Sequence, residues 1–197
     1  MLPDLTRHST EVAADLLGCL LRVGPVLVRL VEVEAYEGGQ DPASHAFRGP
    51  TARNAVMFGP AGHLYVYRLH GSFCANVVCG PEGVATAVLL RSAEVVEGHD
   101  LARARRAERR RTAVTDRDLA RGPGNLCRAL GLSGDDDGTD LSGSGRATLL
   151  PGSVPVTILR TGPRVNVSRA ADRPWRYWDA DSPSVSPYKR HPRAVGG

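Results

Sequence analysis

The chain of 197 residues has almost no lysine: of its 25 basic residues, Lys189 is the one lysine and the rest are arginine. A reaction that runs through a Schiff base needs an amine nucleophile, and here only Lys189 or the amino terminus could supply one. Cysteine is equally uninformative as a framework. Cys19, Cys74, Cys79 and Cys127 form no C-x-x-C pair, which excludes a dense disulfide scaffold and fits a reducing compartment. The histidines are scattered, whereas a structural zinc site needs Cys and His at close paired spacings, so neither a metal nor any other cofactor is expected. No long hydrophobic run exists. The apolar stretch between Val12 and Val33 is broken by Asp15, Arg22, Gly24-Pro25 and Arg29, so it cannot span a bilayer and no membrane partner is expected. The opening MLPDLTRHST lacks the basic-then-apolar order of a secretory signal, and a cytoplasmic protein is expected.

What is present reads as one soluble domain. The chain is 42% hydrophobic and 23% charged, ordinary values for a globular protein of this length. A formal charge of +4 and a pI near 9.1 favour a polyanionic partner without establishing one. Ser9 or Thr10 is placed to cap a short helix through EVAADLLG, ended by Gly18. CLLRV and VLVRLVEVEAY flank Gly24-Pro25 as two strands joined by a turn. HLYVYRL, CANVVC, VATAVLLRSAEV, RATLL and PVTILRTGPRVNVS carry further strand patterns. Glu37 to Gly62 has little periodicity, the mark of a long functional loop. The charge-dense LARARRAERRR and the helical spacing of Leu119, Leu126 and Leu130 supply helices, interrupted at Gly122-Pro123. The predicted class is α+β: a single mixed domain over 1–197, with a curved antiparallel β-sheet core flanked by helices and long loops, and a loose tail from about residue 190.

The run VLVRLVEVEAYEGG is anomalous. Strict alternation puts Val26, Val28 and Leu30 on one face, followed on that same face by Glu32, Glu34 and Tyr36. Carboxylates on a half-buried face are costly unless paired, hydrogen-bonded or functional. Pairing with Arg29 or Arg91 is one reading. The neighbouring His45 in DPASHAFRG, Tyr65 and Tyr67 on one face of GHLYVYRLHG, and His70 beyond them suggest another. An acid beside several flat rings suits a pocket that stacks a planar ligand and attacks something next to it.

These motifs together, VEVEAYEGGQDPASHAFRGPTARNAVMFGPAGHLYVY, CANVV, AVLLRSAEVVEG, RGPGNLCRALGL and TGPRVNVSRAADRPWRYW, resemble the alkylpurine (3-methyladenine) DNA glycosylase family, of the human alkyladenine glycosylase type, over nearly the whole chain. The resemblance implies a monofunctional base-excision repair enzyme, acting without a cofactor on double-stranded DNA that carries a damaged purine such as 3-methyladenine, 7-methylguanine, hypoxanthine or ethenoadenine. It implies a monomer of the bacterial nucleoid with no obligate protein partner. Glu34 matches the general base that activates water. Tyr36, His45 and Tyr67 match the residues that sandwich the extruded base. Asn76 matches the residue that crowds the exocyclic amine of guanine. Arg91 matches the one that helps hold the water and a nearby phosphate, and a backbone carbonyl near Val185 is expected to reach that water. The wedge that fills the gap left in the duplex, commonly a Tyr, matches His70, and the following GSFCAN is one residue shorter than the human-type pattern. The lysine scarcity agrees with water, not an amine, as nucleophile.

Two other readings stay open from the sequence. One is a non-catalytic damaged-DNA-binding module of the same fold, against which the joint presence of Glu34, Tyr36 and His45 argues. The other is a small-molecule glycosidase, which would want a second carboxylic acid facing the first, whereas Glu32 is predicted beside Glu34. The cluster Arg103, Arg105, Arg106, Arg109, Arg110 and Arg111 is predicted either to grip phosphates or to form a solvated charged face.

Overall fold

The computed structural model describes residues 1–108, 112–143, 145–152 and 154–196. Its frame is an antiparallel sheet in the order β3-β4-β5-β2-β1-β6, where β1 is Leu20–Val23, β2 Val26–Glu37, β3 Leu64–Leu69, β4 Ser72–Cys79, β5 Thr86–Glu97 and β6 Ala147–Leu150. Two short strands, β7 (Leu159–Gly162) and β8 (Arg176–Asp179), complete it, with β8 on β2 and β7 on β8. Three helices, α1 (Ser9–Leu16), α2 (His99–Ala107) and α3 (Pro123–Leu130), bury their apolar residues with one face of this sheet in a continuous core. The α+β class and the single curled sheet are therefore as expected.

The long strand β2 departs from simple alternation, and the departure resolves the anomaly in the sequence. Its ladder to β5 shifts register between Leu30 and Glu32 and again between Glu32 and Val33. A bulge of this kind changes which residues face which side. Val26, Val28 and Leu30 point into the main core, and beyond the bulge that duty passes to Val33 and Ala35. Glu32, Glu34 and Tyr36 are thereby turned to the opposite side. The carboxylates do not share the face of Val26, Val28 and Leu30, contrary to the alternation count. β2 also changes partner there: its first part pairs with β1, and Glu32–Glu34 pair with β8.

On that opposite side the irregular segment after β2 forms a second, small core. Ala46 and Met57 from the segment pack with Tyr65, Val78, Ala85 and Ala87 of the sheet region, against Val56, Phe58 and Tyr67. Asn54 holds the segment in shape. Its amide donates to the carbonyls of His45 (3.0 Å) and Gly49 (3.2 Å), and its oxygen accepts from the backbone N–H (2.6 Å) and hydroxyl (2.9 Å) of Thr51. Gly38 begins the segment with φ +54°.

Several local expectations change. α1 starts at Ser9 and is not capped by its own Ser9 or Thr10 side chain. The Glu37 carboxylate instead accepts from the Ser9 hydroxyl and from Thr10 N–H (3.3 Å), serving the orphan donors of the first turn from another element. Of the strand expected through PVTILRTGPRVNVS, only β7 forms, and Pro163–Ser168 is a loop whose backbone bonds to Glu34, Lys189 and Val195. β8 arises in the aromatic stretch that showed no strand pattern. Residues 190–196 run beside this loop: Val195 N–H donates to Ser168 O (3.0 Å) and Ala171 N–H to Val195 O (3.1 Å). In α2, Arg103 pairs with Asp116 (2.7 Å), Arg105 donates to Ala129 O (3.0 Å), and Arg106 is buried. The described half of the arginine cluster thus ties α2 to its neighbours; Arg109, Arg110 and Arg111 lie outside the described residues.

A Cβ at Gly38 would sit 2.5 Å from Val84 O and 3.0 Å from Ala85 O, in a backbone conformation that L-residues rarely adopt. Gly38→Ala is expected to cost about 2 kcal/mol, read as a fall of several degrees in thermal midpoint, with unchanged secondary-structure content by circular dichroism.

Candidate active site

Both strand-borne acids are fully buried, and the protein treats them differently. Glu32 is saturated. Its Oε1 accepts from Arg91 Nε (3.0 Å), Arg176 Nε (2.7 Å) and Ser186 Oγ (2.9 Å), and its Oε2 from Ser92 Oγ (2.7 Å) and Ser186 N–H (2.7 Å). Burial pushes the Glu32 carboxyl up, but the two guanidinium charges and the hydrogen bonds outweigh it and hold the pKa below the ordinary 4.5. Ser92 in turn accepts from Gly122 N–H at the start of α3 (3.0 Å), so Glu32 knits β2, β5, β8, α3 and the Ser186 segment together. Glu32 is a structural hub and is not among the residues that line the cleft.

Glu34, two residues on, opens into a cleft of about 490 Å³. Its Oε1 accepts from Val165 N–H (2.6 Å) and faces Arg91 (3.3 Å), and its Oε2 accepts from the Tyr36 hydroxyl (3.0 Å). A carboxylate offers about four acceptor positions; the Val165 amide and the Tyr36 hydroxyl each take one, and Arg91 adds an ion pair. Arg91 bridges the two acids. Burial lowers its affinity for a proton, the charges of Glu34 and Glu32 more than restore it, and its pKa stands above the ordinary arginine value.

The rings stand around this acid. Tyr36 carries its hydroxyl proton firmly, since burial and the neighbouring Glu34 push its pKa well up. Arg164 backs the Tyr36 ring at 4.6 Å. Tyr65 and Tyr67 stack at 5.3 Å between centroids, and His45 meets Tyr67 edge-on at 4.5 Å. The His45 Nδ1 lies 3.1 Å from the Tyr65 hydroxyl. Burial and the charge of Arg53 lower the His45 pKa from 6.5, so the imidazole is neutral at pH 7. Asn76 is buried on the cleft wall and fixed there by donating to Tyr65 O (3.0 Å).

Six sequence-predicted residues, Glu34, Tyr36, His45, Tyr67, Asn76 and Arg91, therefore line one cleft. His70 does not. It is exposed at the β3–β4 turn, with φ 47° followed by Gly71 at φ 77°, the double left-handed geometry of a two-residue hairpin. Leu69 beside it does reach the cleft and is 42% exposed. The backbone expected near Val185 is elsewhere: Val185 O accepts from Arg121 Nε (2.8 Å) and is outside the cleft lining. The backbone that meets Glu34 belongs to the Val165–Arg169 loop.

Sequence reasoning missed what holds that loop. Arg164 and Asp41 are both fully buried and form a two-pronged ion pair, one prong at 2.9 Å, and Arg164 also donates to Ala35 O (2.9 Å). Arg164 stacks between Tyr36 and Trp175, at 4.6 and 5.0 Å. This strut fixes the residue preceding Val165, and so the amide that Glu34 accepts. Asp41 and Arg164 are 123 residues apart, and nothing local marks either as buried.

Removing the Glu32 charge leaves Arg91 and Arg176 buried without their shared anion. Glu32→Gln is expected to destabilise by about 3–5 kcal/mol and to lower the thermal midpoint by roughly 10 °C. Because the folded pKa is depressed, the stabilisation from Glu32 is complete above about pH 4.5 and is lost as pH falls through the folded value. Urea midpoints measured across acid pH should therefore fall less steeply in the variant; an equal fall would show that Glu32 is not the linked group.

Known sequences resemble this chain over nearly its whole length. Residues 4–183 match the family described as methylpurine-DNA glycosylase. A protein of Nocardia farcinica is 55% identical over 98% of this chain and 93% of its own length. One from Leifsonia xyli is 54% identical over 95% and 92%, and one from Streptomyces avermitilis 51% over 94% and 89%. Each carries the provisional name 3-methyladenine DNA glycosylase. With a family match over most of its length and relatives above half identity, the chain belongs to the methylpurine-DNA glycosylase family, hydrolases of N-glycosyl bonds.

Proposed function

We propose that the protein extrudes damaged purines from duplex DNA into this cleft and hydrolyses the bond between base and sugar with water activated by Glu34. A purine within a stacked duplex is out of reach of a buried carboxylate, so the nucleotide must be flipped out, at a cost of a few kcal/mol that is smaller for a poorly paired lesion. The flipped base lies against Tyr36, His45 and Tyr67. An alkylated, cationic purine gains from stacking on electron-rich tyrosine faces, and the neutral His45 adds no opposing charge. Lesions of this kind include 3-methyladenine and 7-methylguanine.

As the glycosidic bond breaks, its electron pair leaves with the base and positive charge grows on the sugar, as in other glycoside hydrolyses. Glu34 stabilises that charge and takes a proton from the water whose oxygen bonds to the sugar carbon. The products are a free base and an abasic site in an uncut strand. Arg91 pairs with the carboxylate, and Val165 N–H and the Tyr36 hydroxyl hold it in place without filling its acceptor positions. A buried, ion-paired carboxylate on the lining of a cleft walled by aromatic rings is the observation that carries the proposal. A damage-binding module would gain nothing from it.

Asn76 discriminates by bulk. Its amide is tethered to Tyr65 O and cannot swing aside, so a purine with an exocyclic 2-amine is crowded. His70 enters the duplex as the wedge, with Leu69 adding apolar surface at the hairpin tip.

In single-turnover assays on duplexes with one lesion, Glu34→Gln is expected to slow base release by about 100- to 10,000-fold with lesion binding retained. Release at the wild-type rate would remove Glu34 as the base, and binding without release by the wild type would leave a recognition module. Asn76→Ala is expected to raise excision of undamaged guanine relative to hypoxanthine, which lacks the 2-amine, by about tenfold; an unchanged ratio places discrimination elsewhere. His70→Ala is expected to reduce flipping, read with a fluorescent base analogue opposite the lesion, and an unaltered signal would show that His70 is not the wedge.

A further inference from the structure

The C-terminal segment is bonded to the wall of the cleft, and it carries charge that the fold does not use. Asn166 and Ser168 line the cleft. Asn166 N–H donates to Lys189 O (2.8 Å), and Val195 N–H donates to Ser168 O (3.0 Å). Residues 189–195 are thereby held beside the mouth by backbone bonds, which do not engage the side chains of Lys189 and Arg193. Lys189 and Arg193 are exposed, as is Arg169 on the adjoining wall. Among the described residues, none of these three lies within ion-pair distance of a carboxylate, whereas Arg190 between them is taken up by Asp172 (2.6 Å). Across the mouth Arg53 is exposed over the Tyr67 ring at 5.6 Å, and Arg68 is exposed on β3. Glu34 is the one carboxylate among the described residues lining the cleft.

We propose that Lys189 and Arg193, with Arg169, form a phosphate-binding rail along the C-terminal side of the cleft mouth, gripping the backbone of the DNA strand that delivers the base. This rests on the glycosylase reading and adds to it the surface that holds the strand. Unpaired cations fixed at a cleft mouth, with a dry acid below, suit a polyanion whose neutral or cationic part must enter while its phosphates stay outside. The cationic residues of α2 do not offer the same surface: Arg103 is ion-paired and Arg106 is buried.

The test is a titration of the full chain on an undamaged duplex oligonucleotide between about 50 and 200 mM salt, since phosphate contacts carry no lesion information. Lys189→Gln/Arg193→Gln is expected to weaken binding at low salt and to reduce the slope of log affinity against log salt by about 2, near 0.9 per lost phosphate contact. Lys189→Arg/Arg193→Lys, which keeps both charges, should restore the slope. Arg22→Gln/Arg103→Gln removes the same formal charge from positions already ion-paired elsewhere and should leave the slope near the wild-type value. An unchanged slope in the first variant overturns the proposal, as does an equal loss in the Arg22/Arg103 control, which would mark a general charge effect. Base release is measured separately on a lesion duplex. A wild type that binds DNA but releases no base refutes the glycosylase reading and leaves the titration's answer on the rail intact.

Discussion

Arg91 bridges two buried carboxylates on the same side of one strand, and most of the site depends on that bridge. Two like charges two residues apart would repel strongly in a region this dry. The protein resolves this by giving the two acids unequal company. Glu32 receives a second guanidinium from Arg176 and every remaining donor within reach, and becomes a fixed anion at the junction of several elements. Glu34 receives a share of Arg91, one amide and one phenol. The same interaction therefore locks the fold at one residue and leaves chemistry available at the next.

The bulge in β2 makes this possible. A strand that kept its alternation would have sent Glu32 and Glu34 into the main core among the apolar residues around Val33. Shifting register at Glu32 sends the core duty to Val33 and Ala35 and turns the acids toward Arg91, Arg176 and the cleft. It coincides with the place where β2 exchanges β1 for β8 as its neighbour, so one local irregularity sets both the topology and the direction of the functional side chains.

Much of this was legible in the sequence, in an uneven way. Strands with apolar alternation, β1 to β6, could be read from their pattern, and the long aperiodic segment after Glu37 announced a functional loop. The six residues that line the cleft were named from their motifs. The bulge was not legible, because counting by twos assumes the regularity that a bulge breaks. β8 lies in a stretch rich in aromatics and proline that shows no apolar alternation, and it pairs with β2 where Arg176 reaches Glu32. The Asp41–Arg164 strut leaves no local trace, since a buried ion pair is a property of two distant segments meeting. Val165–Ser168 carries a strand pattern yet forms a loop for the same reason: the Val165 amide bonds to a side chain 131 residues earlier.

That separation has a kinetic meaning. The partners of Glu34 are Tyr36 nearby, Arg91 in the middle of the chain and Val165 far along it. Contacts of such long range form late, after the chain has paid the entropy of closing large loops. A partly folded chain can hold the sheet and helices yet present an acid with the wrong partners. The appearance of a competent cleft thus marks the end of folding, and a refolding experiment that follows the cleft should lag one that follows the strands.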